Sequence, residues 1–107
     1  MTEMEIRNRL RKLNVREIPD VDVPINGTVQ ELPCYALLPK TTVIGSDNGS
    51  VGLRRTDWQL ILLTAERDEE LNRGILGALA GAWKVTAEPF PDLSPYQTTF
   101  KFTTFDL

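Results

Sequence analysis

The stretch Thr64-Ala65-Glu66-Arg67-Asp68-Glu69-Glu70-Leu71 sets four carboxylates within five positions. Carboxylates this close together can ligate a divalent cation or exchange protons with a substrate. They also start helices, because acids in a first turn interact favourably with the helix dipole, by about 0.3–1 kcal/mol each when exposed. A helix begun here puts Glu66 and Glu70 on one face and Glu69 away from them, with Arg67 and Arg73 available as partners. No second acidic pair stands at a spacing that would face this one. Helix initiation is therefore the stronger reading, and a small metal-dependent enzyme using Glu66, Asp68, Glu69 and Glu70 is the alternative.

Other chemistry is scarce. The chain has no histidine, which removes the commonest general base, the Ser-His-Asp and Cys-His arrangements, and the usual zinc ligand. Cys34 lies in the apolar run Leu32–Leu38, where burial raises a thiol pKa and lowers its reactivity. The glycine-rich run Gly74–Gly81 lacks Lys-Ser/Thr and sits within a helical segment, so it is no phosphate loop. Asp47-Asn48-Gly49 lacks the ligand spacing and terminal Glu of a calcium loop. The sequence thus points to a non-enzyme with no cofactor.

These residues must be positioned by one domain of 107 residues, with 41% hydrophobic and 25% charged residues. Such a chain buries roughly 60–70% of the surface it exposes when unfolded. The longest stretch free of charges and amides, Gly74–Trp83, is too short for a bilayer, which takes about 20 apolar residues. Met1-Thr2-Glu3-Met4-Glu5 shows no signal-peptide character, and a lone cysteine suits a reducing cytoplasm. Residues 1–16 carry a net charge of +3, from Arg7, Arg9, Arg11, Lys12 and Arg16 less two acids; residues 17–107 carry −6. An acidic body argues against specific nucleic-acid binding, and the basic residues read as the solvated side of a helix.

Thr2 and Glu5 fit a capping box, and Ile6, Leu10 and Leu13 follow at helical spacing, so a helix runs from Thr2 to about Leu13. Glu17–Pro24 reads as an edge strand or extended arm, and Asn26-Gly27 as a turn. Leu32–Leu38 is a buried strand that Thr41–Ile44 continues or pairs with; Gly45–Ser50 is a loop. Thr56–Thr64 alternates two apolar faces, which predicts a central strand covered on both sides. A helix to about Ala82, a strand Trp83–Ala87, a rigid loop at Pro89, Pro91 and Pro95, and a last strand Tyr96–Phe105 complete the chain. The order α-β-β-(β)-α-β-β predicts an α+β domain: an antiparallel or mixed β-sheet with two helices packed on it.

Gly74, Gly77 and Gly81 fall within about 60° on a helical wheel, beside the apolar face of Leu71, Ile75, Ala78, Leu79 and Ala82. Each interior glycine costs roughly 0.5–1 kcal/mol against alanine. Gly81 reads as the helix stop. The stripe also reads as a place where another backbone, such as another subunit's, approaches closely.

The succession of the N-terminal helix, Val23-Pro24, Leu32-Pro33-Cys34-Tyr35, a glycine-rich loop, the strand Asp57–Thr64, the acidic helix start ending in Glu70-Leu71, and the strand Tyr96–Phe105 resembles the tail-terminator and minor tail proteins at the head–tail junction of long-tailed bacteriophages. The glycine-rich helix departs from that pattern, as does the lack of aromatic residues in the Thr64–Leu71 corner. The resemblance implies a protomer of a ring, of six copies, that caps the tail tube, stops its polymerisation and joins the tail to the neck. Its partners would be the tail tube protein and a neck or head-completion protein, first in the host cytoplasm and then in the virion. DNA would pass through the ring without specific binding, which an acidic body favours. Candidate interface residues are Asp20, Val21, Asp22 and Val23 on the edge segment, Asp47, Asn48, Arg54 and Arg55 at the loop, and Gly74, Gly77 and Gly81. Another head–tail connector is an alternative reading, as is a peptide-binding adaptor using the edge at Val21–Val23.

Overall fold

The protein is seen in a computed structural model that describes residues 2–18, 32–44, 52–93 and 95–106. Helix α1 spans Glu3–Arg11, and the Thr2 hydroxyl accepts the Glu5 amide at 3.3 Å as its N-cap. Ile6 and Leu10, one turn apart, are its buried residues. Beyond the cap at Lys12, Asn14 takes φ 56°, a left-handed conformation that Asn tolerates and that turns the chain away. Strand β1, Arg16–Glu17, follows at once and runs parallel to β2, Cys34–Ile44.

β2 pairs antiparallel with β3, Leu53–Thr64, from Cys34↔Leu63 to Ile44↔Leu53. Helix α2, Glu69–Ala78, then crosses back over the sheet, and β4, Trp83–Phe90, and β5, Tyr96–Asp106, complete it. The order β1-β2-β3-β5-β4 places β5 between β3 and β4, both antiparallel to it. The α+β fold read from the pattern is the one observed, with a mixed five-stranded sheet.

Period-two alternation sorts the strand residues to two faces. Tyr35, Leu37, Trp58, Leu60, Leu62, Phe100 and Phe102 point to one side, where Ile6 and Leu10 of α1 and Ile75 and Ala78 of α2 close the main core. On the opposite face a smaller cluster of Cys34, Ala36 and Leu63 is covered by Ile18, with Leu32 and Ile61 half-buried beside it. Both helices therefore lie on one face, and among the described residues the cover expected behind β3 is seen as this patch at one end. Further along that face Gln59 is exposed.

The structure moves other boundaries. β2 continues unbroken through Pro39, and β4 runs through Pro89, which lies in a strand rather than the expected loop. A proline is tolerated in a strand where no neighbour needs its missing N–H, a condition set by the sheet's edges. α2 ends at Ala78 instead of Ala82, capped by Leu79, and Gly81 at φ 98° holds the chain out of helical geometry. The expected arm at Glu17–Pro24 is seen only as Arg16–Glu17 and Ile18; the rest of it, the Asn26-Gly27 turn and the loop Gly45–Ser50 lie outside the described residues.

Candidate interaction surfaces

The sheet face away from the helices carries a cluster of polar and charged groups, of which Lys40, Gln59, Lys84, Thr86 and Lys101 are exposed. Because register is fixed from strand to strand, Lys40, Asp57 and Thr103 share one row, and Gln59, Lys101 and Thr86 share the next. A groove of about 530 Å³ follows these rows, with Arg55 and Lys84 at its side. The Asp57 carboxylate accepts the Thr103 hydroxyl at 2.7 Å and the Arg55 guanidinium at 3.2 Å. These bonds, that from Thr103 foremost, outweigh burial and hold Asp57 below the usual carboxylate range.

Trp83 flanks the groove. The Arg55 guanidinium lies 5.2 Å and the Lys84 ammonium 4.3 Å from its ring centroid, and Phe105 packs at a tilt 5.7 Å away. Lys84 reaches this position because β4 slips its register against β5 between Trp83 and Thr86, with Lys84 itself at φ 54°. Such a bulge re-aims the side chains around it. Lys40, Lys84, Lys101 and Trp83 were not legible as a group, since they come from three strands. The nearest signal was Lys101 alone between Phe100 and Phe102, which marks an outward-facing position.

The acidic corner sits at the other end of β3. Asp68 is the N-cap of α2, its carboxylate accepting the Leu71 amide at 3.0 Å. Glu69 and Glu70 occupy the first turn, and Arg67 pairs with Glu69. Glu66 precedes the helix, so it shares no helical face with Glu70, contrary to the wheel drawn from an earlier helix start. Residues 65–70 are all exposed. Among the described residues, no group of three or more His, Cys, Asp or Glu is arranged to hold a metal ion.

The other expected site residues are not brought together. Arg54 and Arg55 belong to β3 rather than to a loop, and alternation sends them to opposite faces. Arg54 lines a cleft with Asp106 and Met4 on the helix side. Gly74 meets Leu13, just past the end of α1: a Cβ there would lie 3.2 Å from a Leu13 methyl, whereas one on Gly77 would meet nothing within 4 Å. Asp20, Val21, Asp22, Val23, Asp47 and Asn48 lie outside the described residues.

The basic residues of α1 are tied into the chain. Arg7 donates to Glu17 at 2.9 Å and to Glu3 at 3.2 Å, and Arg9 donates to the Ala80 carbonyl at 2.7 Å. Cys34 is fully buried, and that burial pushes its thiol pKa up, partly offset by Arg16. Beyond the helices, residues 39–44 of the β2–β3 hairpin are exposed throughout, with Val43 58% and Ile44 46% accessible. No helix is long and apolar enough to cross a membrane among the described residues. Neither a protein-family model, nor a curated protein, nor a solved structure matches the chain.

Proposed function

We propose that this protein is a structural subunit of a long-tailed bacteriophage, a tail terminator. Its copies would form a six-membered ring on the end of the tail tube, stop tube polymerisation and join the tail to the capsid neck. The observation that carries this reading is the one-sided sheet. Both helices shield one face; among the described residues the other face is covered only at the Ile18 end, and it and the β2–β3 hairpin present Val43, Ile44 and Trp83 to solvent. A bare sheet face and an apolar projection are what a protomer buries against neighbours, and an isolated domain has little use for them.

Two further features favour the reading. The organisation of strand Asp57–Thr64, acidic corner and helix is the part on which the resemblance to tail terminators rests. The net charge of −6 over residues 17–107 also suits a ring through which DNA slides without sticking. On this reading the protein assembles in the host cytoplasm, meets the tube protein on one face and a neck protein on the other, and ends in the virion.

Negative-stain microscopy of the purified protein, alone and with purified tail tubes, is the deciding experiment. Rings, either free or seated on tube ends, are the expected result. Particles that stay monomeric by light scattering and leave the tubes undecorated would remove this reading.

A further inference from the structure

We infer that the open sheet face is a docking surface for the acidic corner of a second copy of this chain, so that copies associate corner to face. This rests on the proposed ring only for its copy number; the contact itself stands on charge and geometry.

Four of the seven basic residues in 17–107 converge on the groove: Lys40, Arg55, Lys84 and Lys101. Against them stands one acid, Asp57, already engaged by Thr103 and Arg55. The groove thus carries an excess of +3. The corner carries four acids against Arg67, an excess of −3. Among the described residues, Lys40 and Lys101 form no ion pair, and neither do Glu66 and Glu70. Each surface is therefore left with the charge the other lacks. Both are open to solvent among the described residues: Lys40, Lys84 and Lys101 are exposed on the sheet face, and residues 65–70 are exposed throughout the corner.

The corner of the same chain cannot reach the groove. Asp57 and Thr64 are seven residues apart on one strand, roughly 23 Å at 3.3 Å per residue, and the rigid β3 ladder holds them there. A second copy can supply the corner. The two surfaces differ, so the contact is heterologous, and it propagates from copy to copy, closing into a ring where its rotation allows and extending as a filament otherwise. A nucleic-acid strand is the less suitable occupant, because phosphates continuing along the face would meet Glu88, one step beyond Thr86 on the same face of β4.

The test is charge reversal on each surface. One variant carries Lys40→Glu with Lys101→Glu, the other Glu66→Lys with Glu70→Lys; Asp68 and Glu69 are left alone so that the cap of α2 survives. Sedimentation velocity of the full chain should show wild-type self-association that weakens as salt rises from about 50 to 500 mM, as ion pairs at an open surface do. Each variant alone should self-associate more than about a hundredfold more weakly, the effect of setting like charges against each other at a contact. Mixing the two variants should restore association, since every groove then meets a corner of opposite sign.

A wild type that stays monomeric, variants that associate like wild type, or a mixture that stays apart would overturn the contact. So would loss of DNA-oligonucleotide binding in Lys40→Glu/Lys101→Glu with self-association intact, which would make a polyanion the occupant. Thermal melts establish that each variant is folded, and Lys40→Gln/Lys101→Gln, which should weaken association less than the reversal, replaces one that is not. Restored association that closes as a dimer would keep the contact and sink the tail-terminator ring. Rings that persist in both variants would keep the ring and sink the contact.

Discussion

Trp58 on β3 donates its indole N–H to the hydroxyl of Thr104 on β5 at 2.9 Å, and both residues are buried. The bond lets a large aromatic side chain enter the core without stranding its polar edge, since a buried indole N–H needs a partner. It also ties the two central strands beside the stack of Trp58 on Phe102, whose ring centroids are 6.1 Å apart.

Replacing Thr104 by Val keeps the shape and removes the acceptor. The stranded N–H should cost about 1–3 kcal/mol, which lowers the melting temperature of a domain this size by roughly 4–8 °C per kcal/mol. In a Trp58→Phe background the same substitution should cost much less, because no donor is left to strand. Urea unfolding of the four proteins measures the coupling. Equal costs in the two backgrounds would show that the bond contributes nothing.

The three glycines around α2 should respond in three ways. Gly77→Ala meets open space and gains helix propensity, so it should stabilise by roughly 0.5–1 kcal/mol. Gly74→Ala should gain less, because Leu13 must yield by a few tenths of an ångström to accept a Cβ at 3.2 Å. Gly81→Ala should destabilise by about 1–2 kcal/mol, since φ 98° puts an added Cβ against the backbone. Chemical denaturation of the three single variants gives the order. A Gly77→Ala protein less stable than wild type would mean that this position is closely approached after all, as the sequence alone allowed.

Much of the fold was legible because backbone geometry enforces its periods locally. Trp58, Leu60 and Leu62 alternate on β3, as do Phe100 and Phe102 on β5, and these residues became the main core. The acidic run from Glu66 to Glu70 marked the start of α2 in the same local way, although the cap falls at Asp68, later than the helical wheel assumed. Pro89 misled because the cost of a proline in a strand depends on which side has a neighbour, and that is decided by sheet order rather than by nearby residues. The groove was hidden for a related reason. Lys40, Arg55, Lys101 and Lys84 stand on β2, β3, β5 and β4 respectively, and they meet only because the last strand of the chain inserts beside β3. The positive φ at Lys84 within the β4 irregularity has no sequence signal at all.

Asp57 should make stability depend on pH in a defined direction. Its carboxyl lies below the usual range, chiefly through the Thr103 hydroxyl, which with the smaller contributions of Arg55 and Lys40 outweighs the opposing effect of burial. A carboxylate whose folded pKa is below its unfolded value of about 3.9 contributes stability that is fully present well above that pH. The contribution is lost as pH falls through the folded pKa, where the folded state takes up the proton. The side chain is 44% exposed, so solvent screens the effect and added salt should reduce it. Comparing unfolding of wild type and Asp57→Asn from pH 6 downward should therefore show a difference that narrows below about pH 4. Thr103→Val removes the strongest of the stabilising bonds and should move the Asp57 midpoint, read by carboxyl carbon NMR, back toward the ordinary carboxylate value. A wild-type midpoint at or above that value would contradict the arrangement seen in the groove.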